Sequence, residues 1–346
     1  MVTFRHVMMR AVYGTVRTAR LRRCVPSLAA ALASLALAAC VVQTGATRVG
    51  GEAGRAAPTH VLSPLLTLTG ARLAPAVNPT GTPLPGSGAA PFTPFIHPVA
   101  VATRGNDLYI ADAGAGKVFR FDLALSVMAV VQPAPAALGT RLAAGSDFSL
   151  YVLDQPRRRV LKLGRNGQLL ATYADARDLA QPVALVVDDV RGEVLVADQL
   201  YRQLVAFHPL GGAAHVIFLR GDDRNRVMNI TAIGLARDAI HISDALCRCI
   251  AVVGRDGVVH ATYGHHEIGQ PGTIAIDRHE RAFVADVFDH SVKVFAAGRL
   301  IDTVPAVALG LREVSDLWVN ESRLVVADGA GARVAVVQIA PPRQGE

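Results

Sequence analysis

Tyr263–Phe295 reads YGHHEIGQPGTIAIDRHERAFVADVFDHSVKVF, and weaker copies of this stretch recur from about residue 97 to the C-terminus. In each copy a short apolar segment ends in an aspartate, and successive aspartates are 42, 44, 46, 42 and 42 residues apart. Periods of this length are typical of repeat architectures in which each repeat is one supersecondary unit. Six such units therefore organise the chain. The aspartates that close them are Asp112, Asp154, Asp198, Asp244, Asp286 and Asp328.

Each unit divides into four short segments with alternating apolar and polar residues, which is the pattern of strands. In the first unit these segments are 99–103, 108–111, 117–121 and 126–131. The turns Asn166-Gly167 and Asp256-Gly257 fit two-residue hairpins, which need positive φ. Four-stranded units of this kind bury their faces against one another around a closed ring. The sequence thus predicts an all-β fold, a six-bladed β-propeller over residues 96–346.

The sixth unit is one strand short. Its segments lie at about 314–319, 323–327 and 333–339, after which Pro341 and Pro342 end the pattern. The apolar segment at 58–70 is expected to supply the missing outer strand, because this would remove an exposed sheet edge. Residues 71–95 are rich in Pro and Gly, and we expect them to form a loop without helix or strand.

Residues 1–39 have the layout of a signal peptide, with six arginines, no acidic residue and then an apolar run. The run is too short and too rich in alanine for a good membrane-spanning helix. The tetrad Leu37–Cys40 resembles the bacterial lipobox, which implies that Cys40 carries a lipid anchor with palmitate and that 40–57 is a flexible tether. An ordinary secretory signal with an incidental cysteine is the alternative. Because Val41 rather than Asp follows the cysteine, the resemblance implies an outer-membrane location facing the periplasm.

The basic charge of the chain belongs to this leader. It contains six of the 35 Lys and Arg residues and none of the 28 acidic ones, so the remainder is close to neutral although the whole chain has a formal charge of +7. Binding to nucleic acid depends on a surplus of basic residues. We therefore expect no nucleic-acid partner.

The stretch from Gly264 to Phe295, with its G-Q-P-G-x-I-A-I-D, F-V-A-D and V-x-V-F segments, resembles an NHL repeat. Units beginning at His97, Gln181 and Asn229 resemble it more weakly. The resemblance implies the propeller fold but not one chemistry, since NHL propellers include ligand-binding scaffolds, sensor domains and a few lyases. The Asn that is common three residues after the Asp in this family is absent from all six units.

Residues that differ between the repeats are the candidates for a binding site. The residue that enters the innermost strand of a blade should lie at the rim of the central channel, and at these positions the chain is polar and varied. We expect a binding mouth there, with a hydrated rim without ligand as the alternative. The predicted rim residues are His97, Gly139, Gln181, Asn229, Gln270 and Glu313, and Asp316 is added because its repeat equivalents are uncharged.

Two groups in the turns and loops of the same face extend this candidate site. Arg157, Arg158 and Arg159 form a basic run that could steer an anionic peptide or glycan end, although an Arg in this turn could simply pair with an acid of the next blade. His265, His266 and Glu267 lie on the loop that leads into Gln270 and could reach the mouth, or could simply be solvated.

The repeated aspartates are interpreted as structural, because a carboxylate that accepts hydrogen bonds from the backbone of the next turn explains all six. The NHL resemblance raises a metal-dependent alternative, since related lyases hold zinc with histidines from several blades, but only His97 occupies a matched position. Gluconolactonase-like propellers need an inward Glu, Asp and Asn, which Glu313, Asp316 and Asn229 supply without the surrounding motifs. We expect no catalytic residue, metal or other cofactor.

Cys247 and Cys249 are the remaining cysteines after Cys24 and Cys40. A disulfide between residues two apart is strained, and the spacing is a weak signal for a metal, so the sequence gives no role for the pair. The sequence therefore favours a lipid-anchored propeller that binds a peptide, glycan or protein partner at its rim. A propeller lyase or lactonase with a divalent metal at the channel mouth is the alternative.

Overall fold

The computed structural model describes residues 60–74, 91–208, 212–222 and 225–342, together with the backbone of one strand at Ala46–Arg48. The described residues belong to one unit. In chain order its strands are β1 (Ala46–Arg48), β2 (Leu62–Leu68), β3 (Gly70–Arg72), β4 (Phe92–Pro94), β5 (Pro98–Arg104), β6 (Asp107–Asp112), β7 (Lys117–Asp122), β8 (Val127–Pro135), β9 (Arg141–Ala144), β10 (Leu150–Asp154), β11 (Arg159–Leu163), β12 (Leu169–Ala174), β13 (Pro182–Asp188) and β14 (Glu193–Asp198). They continue as β15 (Gln203–Phe207), β16 (Ala213–Phe218), β17 (Ile230–Leu235), β18 (Ile240–Asp244), β19 (Cys249–Val253), β20 (Val259–Tyr263), β21 (Pro271–Ile276), β22 (Ala282–Asp286), β23 (Ser291–Ala296), β24 (Arg299–Pro305), β25 (Asp316–Asn320), β26 (Arg323–Asp328) and β27 (Arg333–Ile339).

The repeat folds as predicted into six blades, numbered here from β5–β8 (blade 1) to β25–β27 (blade 6). Within each blade neighbouring strands pair antiparallel in chain order. The first strand of each blade is innermost and contacts the first strands of both neighbouring blades, and β25 contacts β5. The predicted six-bladed β-propeller is confirmed. In the described ranges, helix is limited to two 3-10 turns at Gln155–Arg157 and Ala306–Leu309. No helix in the described part of the chain is long and apolar enough to cross a membrane.

The N-terminal segment closes the ring in blade 6. Strand β2 pairs antiparallel with β27, so that Leu62 faces Ile339 and Leu68 faces Val334. The Asp302 carboxylate of blade 5 fixes the start of this strand, since it accepts a 2.6 Å hydrogen bond from the N–H of Val61. The predicted closing strand is thus confirmed.

Two predictions about the N-terminal segments are wrong in part. Strand β1 pairs with β2 as a fifth strand of blade 6, although residues 46–48 fall in the expected tether. Strands β3 and β4 pair through Gly70 opposite Pro94, although 71–95 was expected to contain no strand. The pairing is possible although proline has no N–H to donate, because its carbonyl group can still accept a hydrogen bond. Gly70 adopts a φ of 145° at the point where the two backbones approach closely. Residues 75–90 lie outside the described ranges.

The core is a series of apolar layers between adjacent blades. Strands rich in Val, Ile, Leu and Ala are buried on both faces, because each blade is covered by a neighbour on either side. The layer between blades 5 and 6 contains 18 buried residues and the layer between blades 4 and 5 contains eight, the fewest in the described chain. The interface between blades 4 and 5 therefore has the smallest set of buried apolar residues in the described ranges.

The hairpin turns are longer than predicted. Gly167 has a φ of 87° and Gly257 a φ of 83°, but the Asn and Asp before them do not have positive φ. In the first turn, the N–H of Gly167 bonds the carbonyl of Gly164, and the N–H of Gly164 bonds the carbonyl of Gln168. This is a type I turn followed by a left-handed glycine. A Cβ on Gly167 would lie 2.5 Å from the carbonyl oxygen of Gln132, so space as well as φ requires glycine.

Five of the six strand-closing aspartates tie each inner strand to the turn beside it. Asp198 accepts hydrogen bonds of 2.6 Å from the N–H groups of Ala180 and Gln181, and one of 2.8 Å from that of Tyr201. Equivalent bonds form at Asp112, Asp244, Asp286 and Asp328. The structural interpretation is confirmed for these five. Asp154 differs, because it accepts hydrogen bonds from two arginine side chains of its own turn.

Candidate functional site

The candidate site lies on the rim face, which we define as the end of the ring where the first strand of every blade begins. The turn between the second and third strands of each blade lies at the same end. In blade 3, for example, the N–H of Gln199 in this turn bonds the carbonyl of Gln181, and in blade 1 the N–H of Ala113 bonds the carbonyl of His97. The predicted rim residues therefore lie beside these turns, as expected from the repeat.

Side-chain amides connect blade 3 to blade 4 across the rim. Gln181 donates from Nε2 to Gln199 Oε1 at 2.8 Å, and Gln199 in turn donates to Asn229 Oδ1 and, at 3.1 Å, to the carbonyl of Ile230. Gln181 is exposed and Asn229 is half-buried. These three residues form what we call the amide chain. An amide chain has donors and acceptors on one surface, so it can bind groups of either type.

His97 and Glu313 meet across the junction of blades 1 and 6. A Cβ built on Gly329 would lie 2.8 Å from His97 Cε1 and 3.1 Å from Glu313 Oε1, so both side chains lie against this glycine. Glu313 Oε1 already accepts hydrogen bonds from Ser315 Oγ at 2.8 Å and from the N–H of Ala330 at 3.0 Å. The carboxylate is therefore tied to its own blade and is only partly available to a ligand.

Two other rim positions contribute less. Gln270 is exposed, and its backbone N–H bonds the Asp286 carboxylate at 2.9 Å. Gly139 lies under the side chain of Gln155, whose Oε1 would clash with a Cβ there. Blade 2 therefore covers its rim position with a turn residue and leaves it no side chain of its own.

Asp316 lies inside the central channel and not on the rim as predicted. Only 6% of the residue is exposed, and it lines a channel cavity of about 160 Å³ together with Arg141 and Thr273. Its Oδ2 accepts a 2.9 Å hydrogen bond from the N–H of Val101, on the unpaired inner edge of β5. Burial raises the pKa of Asp316 to about 6, against the opposing effects of the Arg141 charge and this hydrogen bond. The channel thus contains a carboxylate whose charge is costly.

Arg141 and Trp318 are channel residues that the sequence analysis missed. Arg141 donates a 3.1 Å hydrogen bond from Nη1 to the carbonyl of Thr140, and its Nε is buried without a hydrogen-bond partner in the described residues. Trp318, from blade 6, lines the channel and packs against apolar clusters of blades 1, 2 and 3. It therefore reaches across the channel and narrows it. Both positions break the repeat in the strand register: the equivalents of Trp318 are Ala102, Ala143, Val186, Gly234 and Ala275, and those of Arg141 are Ala100, Ala184, Ala232, Thr273 and Asp316.

The basic run is held by its own blade. Arg157 and Arg159 bond Asp154 of their own blade at 3.3 and 3.0 Å, so the alternative pairing with an acid of the next blade does not apply to them. Arg158, at a φ of 50°, is exposed between them. The rim face of blade 2 therefore presents one arginine that the turn does not use.

His265, His266 and Glu267 are exposed on the loop between β20 and β21. His265 Nε2 bonds Thr262 Oγ1 at 2.9 Å, and Thr262 belongs to the outer strand of blade 4. Glu267 Oε2 accepts a 3.3 Å hydrogen bond from the N–H of His266. The hydrogen bond to Thr262 directs the His265 side chain toward the periphery of the ring and not toward the channel mouth.

Residues that could hold a metal do not gather in the described part of the chain, where no three His, Cys, Asp or Glu side chains converge. Cys247 and Cys249, whose spacing indicates no role, form a disulfide with Cα atoms 5.2 Å apart. It spans Arg248, which adopts a φ of 53°. The predicted lipidation site Cys40 lies outside the described residues.

No protein-family model matches the chain, and no curated protein matches it. Solved structures do match the chain. A gluconolactonase from Xanthomonas campestris is 16% identical with a TM-score of 0.56, covering 71% of this chain and 86% of that one. Virginiamycin B lyase from Staphylococcus aureus is 9% identical with a TM-score of 0.54, over 70% and 95% of the two chains, and a protein of unknown function from Bacteroides thetaiotaomicron is 11% identical with a TM-score of 0.55, over 70% of each. At these identities the likeness shows the propeller fold alone.

Proposed function

We propose that the chain is a binding module without chemistry of its own, which holds a peptide, glycan or protein partner on the rim face. The amide chain of Gln181, Gln199 and Asn229 carries this proposal. Peptide groups and sugar hydroxyls are both donors and acceptors, and the amide chain offers both at the channel mouth. Asp316 and Arg141 add charges of both signs in the channel beneath it.

A photo-crosslinking amino acid at the rim tests this proposal in cells. At Gln270, which is exposed on the rim face, it is expected to give one dominant adduct, identifiable by mass spectrometry. At Asp238, which is exposed at the opposite end of the ring, the matched probe should not give that adduct. Replacing both Gln181 and Gln199 by Ala should reduce the Gln270 adduct at least fivefold, because two hydrogen-bonding side chains are lost. An adduct that forms equally from both probes, or that survives the double substitution, would overturn the proposal.

We also propose that a lipid on Cys40 anchors the module to the outer membrane, with the propeller facing the periplasm. The support comes from the sequence: six arginines, an apolar run and the tetrad Leu37–Cys40. Labelled palmitate should enter the parent protein and a Cys24→Ala variant, and it should not enter Cys40→Ala. Incorporation into Cys40→Ala would exclude the anchor.

A metal-dependent lyase or lactonase is the second candidate, and the convergence of His97 and Glu313 at Gly329 is the observation that favours it. Zinc would need at least one more protein ligand than this pair provides. Elemental analysis of the purified protein separates the two candidates. One equivalent of zinc or calcium that is lost in His97→Ala and in Glu313→Ala would favour the enzyme.

A further inference from the structure

A second concave site lies between blades 4 and 5, at the end of the ring opposite the rim face. It is a cavity of about 640 Å³ between the outer strands of blade 4 and the turns of blade 5. Cavities of this size are in the range that holds small organic ligands. The residues that matter for its chemistry are His241, Ala261, Tyr263, Arg281, Phe295 and Gly298.

The cavity exists because blade 4 breaks the repeat. The positions equivalent to His241 hold large apolar or aromatic side chains that are buried against the next blade: Tyr109, Tyr151, Leu195, Phe283 and Val325. In blade 2, Lys162 on the paired strand lies 5.4 Å from the Tyr151 ring centroid and binds Asp147 at 2.9 Å, which leaves a cavity of only about 150 Å³. In blade 4 the residue paired with His241 is Val252, and both residues line the cavity.

The hydrogen bond between His241 and Tyr263 determines what the cavity offers. The distance from His241 Nδ1 to the Tyr263 hydroxyl oxygen is 2.9 Å. Burial lowers the pKa of His241 to about 4 and raises the pKa of Tyr263, so both are neutral at neutral pH. The buried phenol needs an acceptor, which makes Nδ1 the unprotonated nitrogen. Nε2 therefore carries the proton and is free to donate, and His241 is one of the residues that line the cavity.

One side of the cavity is formed by the His241 and Tyr263 side chains, and its buried charge is balanced. The Tyr263 ring lies 5.1 Å from the Phe295 ring, measured between centroids, and meets the His241 ring edge-on at 5.8 Å. Arg281, which is 3% exposed, is neutralised by Asp277 at 2.8 Å. His279 and Glu280 are exposed beside it. An aromatic side chain beside an N–H donor suits a planar ring with an acceptor at its edge.

We propose that the cavity between blades 4 and 5 binds a neutral planar aromatic compound through packing against the Tyr263 ring and a hydrogen bond from His241 Nε2 to a carbonyl of the ligand. This site is separate from the rim face, so it stands whether or not a partner binds there.

Benzamide, a ring with one carbonyl group, serves as the probe. Saturation-transfer NMR should detect its binding to the full chain with a Kd of about 1 mM, as expected for a ligand of this size. Ala261 is exposed at the cavity wall, so Ala261→Phe should fill the cavity and abolish the signal without unfolding the protein. Ala129 occupies the matched outer-strand position of blade 1, and Ala129→Phe should leave the signal unchanged. Absence of binding, binding that survives Ala261→Phe, or loss of binding in Ala129→Phe as well would each overturn the proposal.

Toluene separates ring stacking from recognition of the carbonyl. His241→Phe removes the donor but keeps a planar ring, so benzamide binding should weaken about fivefold, the effect of one hydrogen bond. Toluene, which has no acceptor, should bind the parent and His241→Phe within a factor of two of each other, on the order of the error of such measurements. Equal changes for the two compounds would exclude His241 as the recognition element.

Discussion

The central channel and the cavity between blades 4 and 5 each bury one titratable side chain, and burial affects them in opposite directions. In the channel it raises the pKa of Asp316 to about 6, and in the cavity it lowers the pKa of His241 to about 4. Desolvation disfavours the charged form in both cases. Near neutral pH the imidazole escapes this cost by being neutral, whereas the carboxylate is ionised and bears it. The cavity is therefore suited to a neutral ligand, and the channel holds a charge that a partner could compensate.

The neighbours of the two groups explain why their charge states differ. Asp316 has the N–H of Val101 and the positive charge of Arg141 to stabilise its anion. His241 has the phenol of Tyr263, which can donate to a neutral ring and does not stabilise a cation. Because a pKa shift between folded and unfolded states is also a change in stability, the two regions should give opposite dependences of stability on pH.

The largest expected effect is on His241 in acid. Its pKa is lower in the folded state than the ordinary value of 6.5, so the unfolded chain binds the proton more readily and stability falls as the pH decreases from about 6.5 to 4. The loss attributable to this residue is about 3 kcal/mol. Urea unfolding of His241→Phe across this pH range should not show that decrease in unfolding free energy. His279→Gln, at an exposed histidine of the same cavity, should retain the parental profile, and an identical profile in His241→Phe would show that His241 does not control it.

Asp316 should give a slightly smaller effect of opposite sign. Its pKa is higher in the folded state than the ordinary 3.8, so the stability it contributes in acid is lost as the pH rises through 6. Asp316→Asn should therefore gain about 3 kcal/mol of stability relative to the parent between pH 4 and 7. Asp238→Asn, at an exposed position, should show no such trend. A gain that is independent of pH would mean that the carboxyl group has an ordinary pKa.

Removing the Tyr263 hydroxyl should cost less. Tyr263→Phe leaves His241 Nδ1 without its hydrogen bond, which should lower the unfolding free energy at neutral pH by about 1 kcal/mol. In the double variant with His241→Phe both partners are apolar, so the two effects should not add. A double-mutant cycle by urea unfolding measures this coupling, and strictly additive effects would contradict the hydrogen bond as the link between the two residues.

The repeat explains how much of this could be read from the sequence. Periodic residues such as Asp198 and Asp286 have the same neighbours in every blade, so one copy predicts the others, and the ring followed from the period. The missing strand of blade 6 predicted β2 for the same reason, since an open edge needs a partner. Asp154 shows the limit of this reasoning: the residue is repeated, but local arginines replace its backbone donors.

The site was harder to predict because its residues act across blades. Asp316 was identified as unusual, but its surroundings in the channel depend on Val101 of blade 1 and Arg141 of blade 2. Trp318 and His241 stand out when the six copies are aligned position by position, so a signal was present. Their effect depends on what lies opposite, such as the short Val252 beside His241, and a pattern along one chain does not give that information.

The last prediction concerns the charge that distinguishes the channel from the cavity. Arg141 opposes the effect of burial on Asp316, so Arg141→Gln should raise the pKa of Asp316 above its value of about 6. The carboxyl ¹³C resonance of Asp316, followed by NMR as a function of pH, measures this directly. Arg237→Gln, at an exposed position, is the matched control and should leave the midpoint unchanged. The His241 titration should be the same in both variants, because Arg141 is not among its neighbours. If the Asp316 midpoint does not move in Arg141→Gln, the Arg141 charge does not contribute to its pKa, which burial and hydrogen bonds such as that from Val101 then determine, and no charged neighbour distinguishes the channel from the cavity.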